Sequence, residues 1–277
     1  MDGMLRQYEL LCEGTPDAGD LAAMDQMRGV WYRTRTIRSG AMLEVEAYPM
    51  MPERRARAVR RMQPTSEAQR RVNQRHAERR MLRLAEANFG PSDYYFTGTI
   101  EGPDLPDVES MQRLVRLFLR RVNDLRRRRG LGNCNYIYVL EGHDAGDRRR
   151  RLHWHALIEG GIDRQELKRL WGHGRARCDE LDTAGPQGLA PLVRYLSKAP
   201  QGKKRWARSR NLREPRESVA ERKINARAAR RIADDSQAVR AAQLERLYPG
   251  YEYVESEARV NPFVPGCYIY AMMRRRV

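Results

Sequence analysis

The sequence has few of the residues that build disulfide frameworks, zinc ribbons or membrane spans. Its four cysteines, Cys12, Cys134, Cys178 and Cys267, stand singly without a C-x-x-C pair, which argues against a zinc ribbon or a disulfide framework. Isolated cysteines of this kind are typical of small core residues in a reducing compartment. No long apolar run occurs, and no apolar segment follows a basic start. The sequence therefore predicts neither a secreted nor a membrane-spanning protein.

Acidic residues are too few to balance the basic ones. Lys and Arg number 53 against 36 Asp and Glu, which gives a formal net charge of +17 and an isoelectric point near 10.2. Such a chain attracts polyanions, so nucleic acid is the expected partner, although basic side chains also serve simply to solvate a surface. Hydrophobic residues make up 41% of the 277 residues, which is enough for a packed core and argues against wholesale disorder.

The first third of the chain combines a predicted hairpin with a basic helical stretch. Residues 1–28 contain turn sequences and are predicted to be a loosely ordered N-terminal segment. The β-prone runs 31–37 and 42–48 predict a hairpin. Residues 53–89 are strongly basic with helical composition, and Pro64 interrupts them.

The centre of the chain predicts an α+β fold. Strands are expected at 94–100, 136–141, 152–158 and 175–181, and helices at 108–129, 163–171 and 187–198. The two middle strands, joined by a turn at residues 144–147, should pair antiparallel. The result is an antiparallel β-sheet with helices on its faces.

The remainder of the chain is a basic extension. A helical stretch is predicted at about 217–247, followed by β-prone segments at 251–260 and 267–272. The predicted domains are the N-terminal segment 1–28, a main domain 29–215 with the hairpin and basic helix, and a basic helical extension 216–277 with terminal strands.

Histidine is also scarce, with five in the chain, yet two of them alternate in a predicted strand. His153 and His155 flank Trp154. Because alternate side chains of a strand share a face, both imidazoles project to one side and the indole to the other. Two adjacent imidazoles make half of a metal site, although the same pattern also fits two histidines on a solvated face.

A carboxylate supplies a candidate third ligand. Glu141 ends the strand expected to pair with the histidine strand, so it can reach the same face; His143 in the following loop is the rival ligand. Two histidines and one carboxylate bind a divalent ion and leave positions open for phosphate oxygens. Glu141 also fits an ordinary acid at the end of a strand.

A tyrosine and a lysine follow on a predicted helix. Tyr195 and Lys198 are three residues apart and therefore share a helix face. A phenol with its usual pKa near 10 is a poor nucleophile, but a nearby metal and cation favour its phenolate form and offset charge in a transition state. In isolation the pattern equally fits a half-buried tyrosine beside a surface lysine.

Together these residues resemble the HUH endonucleases, and most closely the rolling-circle replication initiators of plasmids, phages and integrative elements. Three motifs appear in the family's order: the strand 96–99, the strand 152–157 and the segment 195–198. The segments 37–40, 171–174 and 208–212 are similar to accessory segments of such initiators. The resemblance covers about residues 30–215 and implies a ferredoxin-like or RRM-like palm.

The resemblance also implies a chemistry. His153 and His155 with Glu141 would hold Mg²⁺ or Mn²⁺, and Tyr195 would attack a DNA phosphate, joining the 5′ end and releasing a 3′-OH that primes replication. Lys198 would help to place the phosphate. Contacts with DNA are predicted for Thr97, Thr99, Arg194, Lys203, Lys204, Arg205, Arg208 and Arg210. The expected partners are single-stranded or hairpin origin DNA, a host helicase and replication machinery, with no membrane, in the cytoplasm of a bacterial host.

Two departures from the family pattern and three alternatives stay open. Ala199 occupies the position where some relatives carry a second tyrosine, and Arg194 stands where a lysine is frequent. A relaxase or a single-tyrosine transposase would share the chemistry; relaxases usually place the tyrosine before the histidines, and such transposases are typically much smaller. A non-catalytic nucleic-acid-binding module would instead use its basic residues on phosphates and Trp206 for stacking on bases.

Overall fold

The structure, a computed structural model, describes residues 9–10, 12, 15–25, 30–50, 66–101, 106–142, 152–198, 205–234, 236–261 and 264–276. Within these residues the chain forms seven helices and ten strands, in an α+β arrangement. In chain order they are α1 (Ala18–Asp25), β1 (Trp31–Ser39), β2 (Met42–Met50), α2 (Ser66–Asn88), β3 (Tyr94–Thr99), α3 (Val108–Arg128), β4 (Tyr136–Glu141), β5 (His153–Ile158), α4 (Arg164–Trp171), β6 (Ala176–Glu180), α5 (Ala190–Leu196), β7 (Ala207–Arg208), β8 (Arg216–Glu221), α6 (Ala226–Ala233), α7 (Gln237–Leu247), β9 (Tyr251–Asn261) and β10 (Val264–Arg275).

The chain divides into two compact units. One is continuous and spans residues 77–214, and the other combines residues 1–76 with residues 215–277. We call them the continuous unit and the split unit. This division differs from the predicted segments 29–215 and 216–277, because the hairpin of β1 and β2 belongs to the same unit as the C-terminal strands.

The continuous unit is built on an antiparallel sheet in the order β6-β3-β5-β4-β7. The predicted succession of strand, helix, strand, strand, helix, strand and helix is confirmed from β3 to α5. Strand β7, which the sequence did not predict, adds to the outer edge of β4. Strand β5 lies in the middle, so its side chains have neighbours on both sides.

One face of this sheet carries the core of the unit. Trp154 and Phe96 project from β5 and β3 and contact Phe118 of α3, with ring centroids 5.0 to 5.2 Å apart. Trp171 of α4 closes the cluster at 5.3 Å from Trp154. All four rings are buried, so α3 and α4 cover this face, and their burial is the main stabilisation expected for it.

The packing of Trp154 requires a glycine opposite it. Gly98 is the cross-strand partner of Trp154 in β3, and a Cβ atom at this position would lie 2.2 Å from the indole Nε1. Any larger residue would therefore displace the ring, which explains the glycine inside a predicted strand.

Local signals fix the ends of helices α3 and α4. Asp107 accepts a hydrogen bond from the backbone N–H of Ser110, and Asp163 accepts from the backbone N–H groups of Gln165 and Glu166. Carboxylates in this position satisfy N–H groups that a helix leaves unpaired. The predicted capping role of Asp163 is confirmed.

The split unit holds another antiparallel sheet, in the order β8-β1-β2-β10-β9. Its apolar face includes Tyr32, Val45, Ile269 and Met273, and α1, α6 and α7 contribute to the same buried cluster. The predicted hairpin and the two predicted C-terminal strands are confirmed. The terminal strands pair with the hairpin through β10 and β2, and they do not complete the sheet of the histidine strand.

Two sequence expectations need correction in this unit. The predicted helix over 217–247 is wrong at its start, because β8 pairs with β1 in an edge position. The side chains of Glu217 and Glu221 meet Arg35 and Arg33 of β1 at 2.6 Å, and such cross-strand pairs override the helical composition. Within the segment 1–28, which the sequence predicted to be loosely ordered, α1 is helical and buries Met24.

Several predicted features lie outside the described residues: the basic segment before α2 with Pro64, the loop with His143 and residues 144–147, Ala199, Lys203 and Lys204. None of the helices in the described part of the chain is both long and apolar enough to cross a membrane.

Candidate active site

The site lies on the face of the β3-β5-β4 sheet opposite to the aromatic core. Strand β5 turns Trp154 towards that core, so His153 and His155 project from the other face, as predicted from their alternation. The antiparallel pairing sets Glu141 of β4 directly across from His153, and Thr97 of β3 directly across from His155.

Glu141, His153 and His155 form a cluster with the spacing of metal ligands. The Oε2 atom of Glu141 lies 3.1 Å from Nε2 of His155 and 3.6 Å from Nε2 of His153. One ligand atom from each of the three residues lies within 4.8 Å of the others. The two imidazole rings are nearly perpendicular, with centroids 4.9 Å apart. The three residues could therefore hold a metal ion between them.

The far nitrogen of His155 is held by the neighbouring strand. Its Nδ1 lies 2.7 Å from the hydroxyl of Tyr95 and 3.0 Å from that of Thr97, and the Tyr95 ring stacks on the imidazole at 5.5 Å. An Nδ1–H that donates to these oxygens leaves Nε2 with its lone pair free for a metal.

The near nitrogen of His155 fits a metal ligand. His155 is 5% exposed, and its Nε2 is buried without a hydrogen-bond partner among the described residues. Its approach to Glu141 lacks hydrogen-bond geometry. A buried nitrogen lone pair without a partner is costly, and a cation shared with Glu141 and His153 would remove that cost.

Burial also sets the protonation states of this cluster. Loss of solvation lowers the pKa of His155 to about 4, with a further contribution from His153, while Glu141 acts in the opposite direction. The imidazole is therefore neutral at pH 7 and can act as a ligand. Loss of solvation raises the pKa of Tyr95 to about 12, so its phenol stays neutral beside the imidazole.

Tyr195 lies next to this cluster and is open to solvent. Its side chain is 48% exposed, and its ring centroid is 6.1 Å from that of His155, with the rings nearly perpendicular. Helix α5 carries it, as predicted, and the carboxylate of Glu86 accepts a hydrogen bond at 2.6 Å from the backbone N–H of Leu189 at the start of that helix. Leu189 offers no side-chain cap of its own, so Glu86 takes that role.

The lysine is placed differently from the prediction. Helix α5 ends at Leu196 and Ser197 is its C-cap, so Lys198 follows in a turn whose backbone N–H donates to the carbonyl of Tyr195 at 3.3 Å. The Lys198 side chain is exposed. It follows Tyr195 closely, but not on a shared regular helix face.

The structure assigns several predicted DNA-contacting residues to contacts within the protein. Thr97 contacts His155, and the hydroxyl of Thr99 donates to the carbonyl of Arg175 at 3.3 Å. Arg194 lies 3.9 Å from Glu78, and Arg208 lies 2.7 Å from Glu214. Arg205 and Arg210 are exposed. Contacts of these residues with DNA stay a prediction.

Trp206, which the binding-module alternative assigned to base stacking, is partly buried, and its indole N–H donates to the carbonyl of Ala77 at 3.2 Å. The ring is thus already used in the packing of the continuous unit.

Three residues near the site were not identified from the sequence. Tyr95 alternates with Thr97 in the YYFTGT strand, so the register with β5 was the signal that would have found it. Arg177 of β6 is the cross-strand partner of Thr97 and projects from the same face, 80% exposed. Glu86 reaches Leu189 across 103 positions of the chain, and nothing local in the sequence indicates that contact.

Comparison with known proteins supports one part of this description. Residues 93–200 match the family model of the replication-associated proteins of the ORF2 type. No curated protein and no solved structure matches the chain. The matched segment runs from the start of β3 past α5, so it includes Glu141, both histidines and Tyr195. The match supports a replication initiator, while the nicking chemistry stays a prediction.

Proposed function

We propose that this protein nicks and rejoins single-stranded DNA at a specific site to initiate rolling-circle replication, with Tyr195 as the nucleophile. The observation that carries the proposal is the exposed phenol of Tyr195 beside His155, 6.1 Å between ring centroids, next to a cluster of two imidazoles and one carboxylate. The match of residues 93–200 to a replication-associated family supports the biological role.

The chain's own residues divide the reaction as follows. The phenol oxygen of Tyr195 gives its proton to solvent and attacks the scissile phosphorus. The bond from phosphorus to the 3′ oxygen breaks, this oxygen takes a proton and leaves as a free 3′-OH, and the 5′ end stays joined to Tyr195. Reversal by a new 3′-OH rejoins the strand. The ammonium of Lys198 offsets the charge on the phosphate.

Glu141, His153 and His155 would hold the cofactor, which we propose to be Mg²⁺ or Mn²⁺. When bound, the cation supplies positive charge that polarises the phosphate and favours a phenolate. Oxygen and imidazole ligands suit these ions, with Mn²⁺ the better match to two imidazoles. Tyr95 and Thr97 orient His155, and the stacked Tyr95 ring helps to exclude water from its buried side.

A covalent adduct is the direct test. We expect the protein, incubated with Mn²⁺ and single-stranded DNA drawn from the region around its own gene, to form a protein–DNA species that survives a denaturing gel. Tyr195→Phe should abolish it, and Tyr136→Phe, a tyrosine on the opposite face of the same sheet, should not. EDTA and the double variant His153→Ala with His155→Ala should also abolish it.

The outcomes separate the alternatives. An adduct that persists in Tyr195→Phe would keep the enzyme class and reject the nucleophile assignment. Tight binding without an adduct on any substrate would favour the non-catalytic binding module. Sequencing the joined DNA gives the nick site, and the cutting of a transfer origin or of a transposon end instead of a replication origin would favour a relaxase or a transposase.

A further inference from the structure

Helix α3 presents a row of arginines on the side that faces away from the core. Its buried side consists of Met111, Val115, Phe118, Leu119, Val122 and Arg126. The exposed residues of the same helix include Arg113, Arg116, Arg120 and Arg127. Their spacings of three, four and seven residues keep them on one face. We call these four residues the α3 arginine row.

The charges in this row are only partly paired. Arg113 lies 3.6 Å from Glu109, and Arg127 lies 3.4 Å from Asp124, both within the helix. Arg116 and Arg120 have no acidic side chain within ion-pair distance among the residues that the structure describes. Like charges four residues apart destabilise a helix, so this pair costs stability unless an external anion lies against it.

The row and the metal-ligand cluster lie on opposite faces of the sheet. Helix α3 packs on the face that carries Trp154, and His153 and His155 project from the other face. A strand held at Tyr195 would therefore not be the segment in contact with the row. Whatever the row binds is a second region of DNA or another anion.

We propose that the α3 arginine row binds the phosphate backbone of double-stranded DNA, separately from the strand at Tyr195. From Arg113 to Arg127 the helix rises about 21 Å, which spans about six phosphates of one strand along a duplex. A straight helix with fixed charge spacing complements a stiff duplex. The chain's net charge of +17 brings DNA to the surface, and the planar guanidinium groups are suited to contact phosphates in pairs.

The test measures binding in EDTA, so that it needs neither metal nor cleavage and stands apart from the nicking proposal. We would compare the affinity of the wild-type chain and of Arg116→Gln with Arg120→Gln for a duplex of about 20 base pairs, at salt from about 50 to about 200 mM. Loss of two phosphate contacts should lower the slope of log K against log salt by about 2 and weaken binding about tenfold.

The matched control removes the same charge at the same spacing elsewhere. Arg227→Gln with Arg231→Gln alters two exposed arginines four residues apart on α6 of the split unit and should leave the slope nearly unchanged. Arg116→Lys with Arg120→Lys should retain most of the affinity, because the charges remain. Unchanged far-ultraviolet circular dichroism and melting would show that every variant folds.

Three results would overturn the proposal. An equal loss of affinity in the α6 control would show that bulk charge alone governs binding. An unchanged salt slope in the Arg116 and Arg120 variant would show that these side chains do not contact phosphate. A loss for single-stranded DNA as large as that for the duplex would assign the row to single strands instead.

Discussion

His155 shows how one side chain is prepared for two contacts. Its Nδ1 meets two hydroxyl groups from β3, and its Nε2 is buried beside Glu141 without a hydrogen-bond partner in the described part of the chain. A histidine that merely solvated the sheet would need neither the stacked Tyr95 ring nor the buried nitrogen. The pattern is that of a ligand whose orientation is fixed by its outer neighbours.

The phenol of Tyr95 should therefore influence metal affinity without contacting the metal. We expect Tyr95→Phe to weaken Mn²⁺ binding about tenfold, and its combination with Thr97→Val to weaken it up to about a hundredfold, since such outer contacts typically contribute that much. Isothermal titration calorimetry measures the change. Tyr94→Phe, on the opposite face of the same strand, should have no effect, and an equal effect there would reject the role of Tyr95.

At the scale of elements, the candidate site depends on two strands and one helix. The strands set the histidines and Glu141 by register, whereas α5 brings Tyr195 from a distant part of the chain. Helix α5 has no N-terminal side-chain cap of its own, and Glu86 of α2 accepts from the backbone at its start. The position of the tyrosine thus depends on a contact between helices.

Loss of that contact should slow the reaction without affecting the metal. We expect Glu86→Gln to cost about 1 kcal/mol of helix capping and charge–dipole stabilisation and to slow adduct formation about fivefold, with Mn²⁺ affinity unchanged. Glu78→Gln is the matched control on the same helix, because its partly exposed contact with Arg194 is long at 3.9 Å and should contribute little. Weakened metal binding in Glu86→Gln would contradict the assignment.

The elements differ in how far the sequence predicts them. Alternation identified the faces of β5, and Glu141 followed from assuming that its strand pairs antiparallel with β5. Strand β8 was mistaken for helix because its local composition is helical, while the strand form depends on its pairing with β1. The contact of Glu86 with Leu189 and the pairing of Ile269 with Ala47 join distant positions, and no local pattern specifies them.

At the scale of the whole molecule, the protein consists of the continuous unit and the split unit, which is made from two separate parts of the chain. The split unit is completed by β10, which lies between β2 and β9 in its sheet. Ile269 of β10 is fully buried in its core. The metal-ligand cluster belongs entirely to the continuous unit.

Damage to the core of the split unit should therefore spare metal binding. We expect Ile269→Ala to reduce the free energy of unfolding of that unit by about 2–5 kcal/mol, while Mn²⁺ affinity below the transition is retained. Denaturant unfolding and calorimetry measure the two quantities. Val219→Ala in the same sheet, where the side chain is 62% exposed, should change stability by less than about 0.5 kcal/mol. A parallel loss of metal affinity would show that the two units are coupled.

The split unit has a consequence for biosynthesis. A ribosome releases residues 77–214 in one uninterrupted stretch, so the unit with Tyr195 can complete its sheet while the rest of the chain is still being made. The hairpin of β1 and β2 emerges first, yet it must wait for β10, about two hundred residues later, to gain its central partner. Domains generally fold as they emerge, so a message truncated before β10 would yield a chain whose continuous unit is complete and whose first hairpin lacks the strand that completes its sheet.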